Sequence, residues 1–175
     1  VELMGGRKAF TQRLDSLFTA DADLGENANP DITGLIGQYA HGNEPSHHIL
    51  YIYNYIDQPH KTQRLVRKVM DELYTDKPAG LCGNEDVGQM SAWYILSALG
   101  LYQVEPCGGI YQLGSPIVEQ ASIPLPNGRQ FVVRTHNGRA DKPTVKKYVL
   151  NGTKLTRTYI THQEITAGGT LEVYF

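Results

Sequence analysis

Cysteine is scarce in this sequence of 175 residues, and the other compositional marks of a specialised protein class are missing as well. Cys82 and Cys107 allow a single disulfide, which does not make a disulfide framework, so the redox compartment stays open. No apolar run approaches the length of a membrane-spanning helix, so no membrane span is expected. The net charge of −2 and the scattered basic residues argue against nucleic acid or an anionic membrane as a partner.

The motifs of several enzyme classes are also absent from the sequence. The chain has no Gly-x-Ser-x-Gly elbow of a serine hydrolase and no glycine loop that would bind a phosphate group. Its histidines do not follow the His-Glu-x-x-His spacing of zinc proteases. The acidic stretch DADLGE at 21–26 departs from the EF-hand pattern, because Ile32 stands where that loop needs glutamate, and it predicts a solvated loop.

The start of the chain carries no secretory signal peptide, since no basic segment followed by an apolar core is present. The sequence begins at Val1, ahead of its first methionine, Met4. We therefore expect a piece of a longer protein, with any targeting segment lying upstream.

What the sequence does contain is a change of pattern near residue 103. Hydrophobic residues make up 41% and charged residues 19%, as in globular proteins. Residues 1–103 predict helices, and an amphipathic helix at 59–74 separates two apolar helices, at 45–56 and 87–102, that should be buried nearly all round. Residues 104–175 predict short strands with Asn-Gly hairpins. The expected fold class is α+β, with N-terminal helices forming part of an (α/α) barrel and a C-terminal antiparallel β-sheet.

The triplet Gly-Asn-Glu occurs twice, at 42–44 and 83–85, and each copy directly precedes one of the apolar helices. One antiparallel helix runs back between them, so both triplets should lie at the same end of the helical layer. We therefore expect the two loops to face one shared opening.

The second loop places two acids, Glu85 and Asp86, before its helix. A carboxylate at a helix N-terminus tends to stay ionised, which suits a general base. Side chains of adjacent residues diverge, so one acid can face the opening while the other supports it. In the first loop, Glu44 and the carbonyls of Gly42 and Asn43 offer the hard oxygen ligands that calcium prefers. The competing interpretation is that both acid groups only cap helices.

Other side chains near these loops are candidates for binding a sugar. His47 and His48 are neighbours, so one of them can reach a sugar hydroxyl while the other packs or caps. Trp93 can stack on a sugar ring, although its helical spacing is more often that of a core residue.

The stretches DITGLIGQYAHGNEPSHHILYIYNY, QPHKTQRLVRKVM and GLCGNEDVGQMSAWYILSALGLYQV resemble the C-terminal part of glycoside hydrolase family 92. The tail, with YQLGSPIVEQASIPLPNGRQFVV, resembles the closing strands of that family. These enzymes are calcium-dependent, inverting α-mannosidases that join an N-terminal β-sandwich to an (α/α) barrel. The resemblance implies a mannose-containing glycan as substrate and a periplasmic or secreted full-length protein.

The resemblance also implies roles for particular residues. Asn43, through its carbonyl, and Glu44 would bind calcium, and Asp86 would be the base that activates water, with Glu85 supporting it. The family's proton-donating glutamate lies on an earlier segment, and nothing in the first forty residues matches it. We therefore expect the isolated chain to be inactive. The alternatives are a non-catalytic calcium- or carbohydrate-binding module and a purely structural helical module.

Overall fold

The computed structural model describes residues 1–23, 25, 29, 32–139 and 141–175, so part of the predicted solvated loop at 21–26 lies outside the described residues. Helices dominate up to residue 98, and strands follow from residue 101. The α-helices are α1 (Arg7–Thr19), α2 (Pro59–Leu73), α3 (Gln89–Ala98) and α4 (His162–Thr166), and 3₁₀ helices span Glu2–Met4, Glu44–Ser46 and Ile49–Ile56.

Helix α2 is the amphipathic helix that the sequence predicts. It begins at Pro59, in the first turn, where the missing N–H costs no intrahelical hydrogen bond. Its apolar stripe buries Val66, Val69 and Met70, while Lys68 on the opposite face pairs with Glu72 in solvent. Burial of that stripe against the Ile49–Ile56 segment holds the helical layer together.

The predicted helix at 45–56 is instead two 3₁₀ segments, Glu44–Ser46 and Ile49–Ile56. Aromatic and β-branched residues dominate the second segment and favour an α-helix only weakly, so tertiary packing decides its form. Tyr51 and Tyr53 are buried there, whereas Tyr55 is half exposed. The segment ends at Asp57, whose φ of 61° is left-handed.

The apolar helix after the second loop is also less enclosed than its composition predicts. Met90 and Trp93 are completely buried, but Ile95 is 58% exposed and Val87 is fully exposed. The helix itself starts only at Gln89. One face of α3 therefore packs in the core, while another faces solvent in this chain.

Within the described residues, the strands form a hairpin and two sheets. The hairpin is β1 (Leu35–Ile36) with β2 (Tyr39–Ala40), the three-stranded sheet has the order β3–β4–β9, and the larger sheet has the order β5–β6–β10–β7–β8. Their bounds are β3 Leu101–Tyr102, β4 Ile110–Leu113, β5 Gln120–Pro124, β6 Gln130–His136, β7 Lys147–Leu150, β8 Thr153–Lys154, β9 Tyr159–Thr161 and β10 Gly169–Tyr174.

The predicted Asn-Gly hairpins are confirmed, since β5 pairs with β6 and β7 with β8 around them in antiparallel register. The prediction of a purely antiparallel region is wrong for one pair, because β10 runs parallel to β6. Strand β10 fills the gap between β6 and β7, and that long-range pairing sets its direction. An α+β fold is confirmed all the same.

The helical and strand regions meet through buried polar contacts. Asn54 donates to the Leu113 carbonyl, and Gln63 donates to the Tyr148 hydroxyl while accepting from the Val145 N–H. The NH₂ groups of Asn54 and Gln63 and the Gln63 oxygen are thereby bonded, whereas Asn54 Oδ1 is buried without a hydrogen-bond partner among the described residues. Among the described residues, no helix combines the length and apolar character needed to cross a membrane.

Candidate active site

The two Gly-Asn-Glu loops lie against each other, backbone to backbone. A Cβ atom on Gly83 would lie 2.5 Å from the Gly42 carbonyl oxygen, so only glycine allows this approach. The contact confirms that both loops reach one shared opening. It is a cavity of about 330 Å³, and its lining residues are Thr33, Gly42, Asn43, Glu44, Gly83, Asn84 and Asp86.

Two carboxylates, one from each loop, face one another at this cavity. The Glu44 carboxylate raises the pKa of Asp86 above its usual value, first by bonding to the protonated form and further through desolvation and charge repulsion. At the same cavity, Glu44 Oε1 and Thr33 Oγ1 are both buried, and neither has a hydrogen-bond partner among the described residues. Buried acceptors without donors and two facing acids are typical of a place built for a cation.

Glu85 points away from Asp86 and fastens the second loop to α3. Its carboxylate accepts hydrogen bonds from the Ser91 backbone N–H at 3.0 Å and from the Ser91 hydroxyl at 2.9 Å. Its carbonyl accepts from the Met90 N–H. The two adjacent acids therefore diverge as predicted, and the structure brings Asp86, rather than Glu85, to the cavity.

The local setting of Asp86 differs from the predicted one. Both acids precede the helix, as expected, but the N-cap of α3 is Gly88, and Asp86 and Val87 form a left-handed turn before it, with φ values of 48° and 58°. The helix end favours the ionised form of Asp86, but in this chain the facing Glu44 carboxylate raises the pKa of Asp86. A cation between the two acids would remove that repulsion.

His47 and Trp93, both predicted to contact sugar, have no exposed surface. The His47 Nε2–H donates to the His41 carbonyl at 2.9 Å, and its Nδ1 accepts from Gln89 Nε2 at 3.4 Å. Trp93 donates from Nε1 to the His47 carbonyl at 3.3 Å. Burial in this chain indicates a supporting role for both residues behind the first loop, whereas His48 is partly exposed.

His41 belongs to the same cluster, and the sequence interpretation assigned it no role. Its Nδ1 accepts from the Tyr39 hydroxyl at 2.8 Å, and its Nε2–H donates to the Tyr74 hydroxyl at 2.7 Å, because Tyr74 gives its own proton to the Met90 carbonyl. Burial, aided by the neighbouring His47, lowers the pKa of His41 to about 3. The ring is therefore neutral, and the only sequence signal was its position directly before Gly42.

The oxygen atoms at the cavity suit calcium. Carboxylates and backbone carbonyls are the ligands this ion prefers, and Glu44 and the Asn43 carbonyl supply that kind of oxygen beside Asp86. The Asn43 carbonyl already accepts from the Ser46 N–H, but a carbonyl oxygen has a second lone pair. Within the described part of the chain, no group of three His, Cys, Asp or Glu side chains converges as a metal site, so further ligands would be carbonyls, water or sugar hydroxyls.

Comparisons with known proteins identify a family for this chain. The model of the glycosyl hydrolase family 92 catalytic domain matches residues 1–175. A family GH92 α-mannosidase from Bacteroides thetaiotaomicron is 40% identical over 97% of this chain, with a TM-score of 0.88. A family GH92 inverting mannosidase from the same species is 44% identical over 99% of this chain, with a TM-score of 0.84.

One curated relative, from Arthroderma benhamiae, is described as an uncharacterized secreted glycosidase and is 29% identical over 99% of this chain. The chain spans only 21% of that relative and 22% and 25% of the two mannosidase structures. The resemblance predicted from the sequence is confirmed: the chain belongs to the catalytic domain of glycosyl hydrolase family 92.

Proposed function

We propose that this chain supplies the general base and the calcium-binding loop of an inverting exo-α-mannosidase. The observation that carries the proposal is the shared cavity, in which Asp86 and Glu44 face each other from two separate loops. Two relatives named as GH92 mannosidases, one of them as inverting, support the substrate class and the stereochemistry.

In the proposed reaction, the Asp86 carboxylate accepts a proton from a water molecule as that water attacks the anomeric carbon. Inversion requires this water on the face of the sugar opposite to the leaving group. Glu85 does not meet the water, because both its oxygens are bonded to Ser91; it holds the loop that carries Asp86. The chain thus provides one carboxylate for chemistry and one for positioning.

Calcium would be held by Glu44 and the Asn43 carbonyl, next to Asp86. When bound, the ion supplies positive charge that neutralises the facing acids and can bind sugar hydroxyls. His48, which follows the same loop and is partly exposed, would bond a sugar hydroxyl. His41, His47 and Trp93 keep the loop in place from behind.

The remaining parts of the enzyme lie elsewhere in the longer protein under this proposal. They include the general acid, the other helices of the (α/α) barrel and the N-terminal β-sandwich. The protein would act outside the cytoplasm, in the periplasm or after secretion, as the fungal relative's description as secreted suggests. The 175 residues alone are therefore expected to hydrolyse no mannoside.

The first experiment is Asp86→Asn in the longer protein, assayed with an α-mannoside. Loss of a general base should lower kcat by about 10²- to 10⁴-fold, with the fold retained because Asp86 is exposed. Asp71→Asn, an exposed aspartate on α2, is the matched control and should leave kcat unchanged. Detection of β-mannose as the first product by NMR would establish inversion, and α-mannose would contradict it.

The second experiment tests the calcium proposal by titrating the protein with calcium in a calorimeter. Glu44→Gln removes a negative charge at a buried oxygen, so calcium affinity should fall at least about tenfold relative to the parent protein. Equal affinities would remove Glu44 from the ligand set. If Asp86→Asn keeps both calcium binding and full hydrolytic activity, the base lies elsewhere in the longer protein. This chain would then be a non-catalytic binding module.

A further inference from the structure

Among the described residues that line the shared cavity, Thr33 alone comes from neither Gly-Asn-Glu loop. The hairpin of β1 and β2 carries the chain from Thr33 back to the first loop. There the Thr33 carbonyl accepts from the Gly42 N–H at 3.0 Å, and the Gly34 carbonyl accepts from the His41 N–H at 3.0 Å. Backbone hydrogen bonds therefore fix Thr33 beside the first loop without using its hydroxyl group.

The Thr33 hydroxyl lies over the backbone of Gly42. A Cβ atom on Gly42 would lie 2.0 Å from Thr33 Oγ1, so glycine leaves the space that this oxygen occupies. Thr33 Oγ1 is buried and, within the described part of the chain, has no hydrogen-bond partner, as is also true of Glu44 Oε1 at the same cavity. Because a buried polar atom without a partner destabilises a fold, two such oxygens at one cavity indicate that a bound group satisfies them.

Thr62 shows how a threonine that serves only the fold is held in this chain. It is completely buried, and its hydroxyl donates to the Leu50 carbonyl at 2.8 Å. The Thr33 hydroxyl makes no such bond to the described residues, although the carbonyl of Thr33 is bonded. The hydroxyl of Thr33 is therefore better explained by what enters the cavity than by folding.

The proposed calcium site leaves hydrogen bonds of this kind to be made. Calcium takes six to eight oxygen ligands, more than Glu44 and the Asn43 carbonyl supply, so water molecules or sugar hydroxyls complete the set. The cavity of about 330 Å³ has room for an ion and several water molecules, each of which occupies about 30 Å³ in the liquid. The hydrogens of a water bound to calcium point away from the ion and need acceptors, and Thr33 Oγ1 is an acceptor at the cavity wall.

We propose that Thr33 is a positioning residue of the calcium site, and that its hydroxyl oxygen accepts a hydrogen bond from a water molecule bound to the ion. This inference rests on the proposed function, in which Glu44 and the Asn43 carbonyl bind calcium. Groups that orient metal ligands without touching the metal contribute to its affinity. Calcium affinity would thus depend on a residue outside both Gly-Asn-Glu loops.

The test uses Thr33→Val in the longer protein, measured by calcium titration in a calorimeter and by thermal melting with and without calcium. Valine keeps the β-branched shape and removes the hydroxyl. The dissociation constant for calcium should rise about tenfold. Without calcium, in a chelator, the melting temperature should stay the same or rise, because an unpaired buried hydroxyl is lost. At one fixed calcium concentration, the melting temperature should then increase less in the variant than in the parent.

Two further threonine variants serve as controls. Thr33→Ser keeps the hydroxyl and should bind calcium within about twofold of the parent. Thr62→Val should leave calcium affinity unchanged but lower the melting temperature both with and without calcium, because it removes a bonded hydroxyl.

The inference about Thr33 is overturned if Thr33→Val binds calcium as tightly as the parent does. It is also overturned if Thr33→Val, in the chelator, lowers the melting temperature as Thr62→Val does, since the hydroxyl would then be bonded within the longer protein. Either result leaves the proposed calcium site standing. A parent protein that binds no calcium would instead refute the calcium site of the proposed function, and this inference with it.

Discussion

The two Gly-Asn-Glu loops begin with the same three residues, yet their surroundings hold them in opposite ways. The first is fixed by buried side chains, because His41 and His47 lie beneath it with no exposed surface. Asn43 has an ordinary extended backbone, with φ of −119°. The second is fixed by its own backbone turn, with left-handed residues and the bond between Glu85 and Ser91. Local sequence identity therefore does not imply local structural identity.

The difference matches the work that each loop is proposed to do. A metal-binding loop needs ligand oxygens at fixed positions, and a layer of packed rings behind Glu44 provides that rigidity. A base needs access to water, and Asp86 is exposed on a turn that projects from the helix start. Mutations should therefore damage the first loop through packing and the second through backbone geometry.

The largest effect on stability should come from His47→Ala. The change removes a fully buried ring, breaks its bond to the His41 carbonyl and leaves that acceptor unpaired, so we expect a loss of about 3 kcal/mol. Urea denaturation followed by fluorescence of Trp93, the single tryptophan, measures it directly. His48→Ala, at the partly exposed neighbour, is the control and should cost less than about 1 kcal/mol. Equal losses would show that His47 does not anchor the loop.

The next largest effect on stability should distinguish Gly83 from Gly88, two glycines of the second loop. A Cβ on Gly83 would meet the Gly42 carbonyl oxygen at 2.5 Å and Cα at 2.8 Å, so Gly83→Ala must push the loops apart. A Cβ on Gly88 would meet nothing within 4 Å, and only its φ of 87° opposes alanine. We expect losses of about 2–3 kcal/mol and about 1 kcal/mol respectively.

Calcium titrations of the two glycine variants provide a second comparison between Gly83 and Gly88. Gly83→Ala should also lower calcium affinity, since it separates the loop carrying Glu44 from the loop carrying Asp86. Gly88→Ala should leave calcium affinity unchanged. The contrast between the two glycines is contradicted if Gly88→Ala lowers both the free energy of unfolding and the calcium affinity more than Gly83→Ala does.

Local rules predicted a considerable part of this structure. Apolar spacing and Pro59 located α2, Asn-Gly pairs located two hairpins, and the alternation of helices placed both loops at one cavity. These features depend on residues close in sequence. The sequence left open which of Glu85 and Asp86 faces the cavity, because adjacent side chains diverge and either one can point inward. The hydrogen bond from Ser91 to Glu85 decides between them in the structure.

Features that depend on distant partners could not be predicted in the same way. The parallel pairing of β6 with β10 joins segments far apart in the chain. The bond from His41 to Tyr74 spans 33 residues, and nothing in the sequence around either residue indicates it. Val87 was expected to be buried because its periodicity continues that of α3, whereas the turn before Gln89 takes it out of the helix.

The smallest expected effect on stability concerns Glu164, an acid that only caps a helix and serves as a reference for Asp86. Glu164 forms a capping box with Thr161 and pairs with Arg157. Desolvation raises the pKa of Glu164, but these bonds outweigh it, so the pKa lies below the usual value of 4.5. The pKa of Asp86, in contrast, is raised. A lowered pKa in the folded state means that the ionised form stabilises the protein. That contribution is complete above about pH 4.5 and disappears as the pH falls through the folded-state pKa.

Glu164→Gln should therefore lower the free energy of unfolding by at most about 1 kcal/mol near neutral pH, because the side chain is partly exposed and solvent screens it. The difference from the parent should shrink below pH 4.5 and vanish in stronger acid, as urea titrations across that range would show. Glu119→Gln, at an exposed position, is the control and should leave the free energy of unfolding near neutral pH unchanged. A difference that grew on acidification would mean that Glu164 is held protonated, and the contrast between a capping acid and the cavity acid would then be lost.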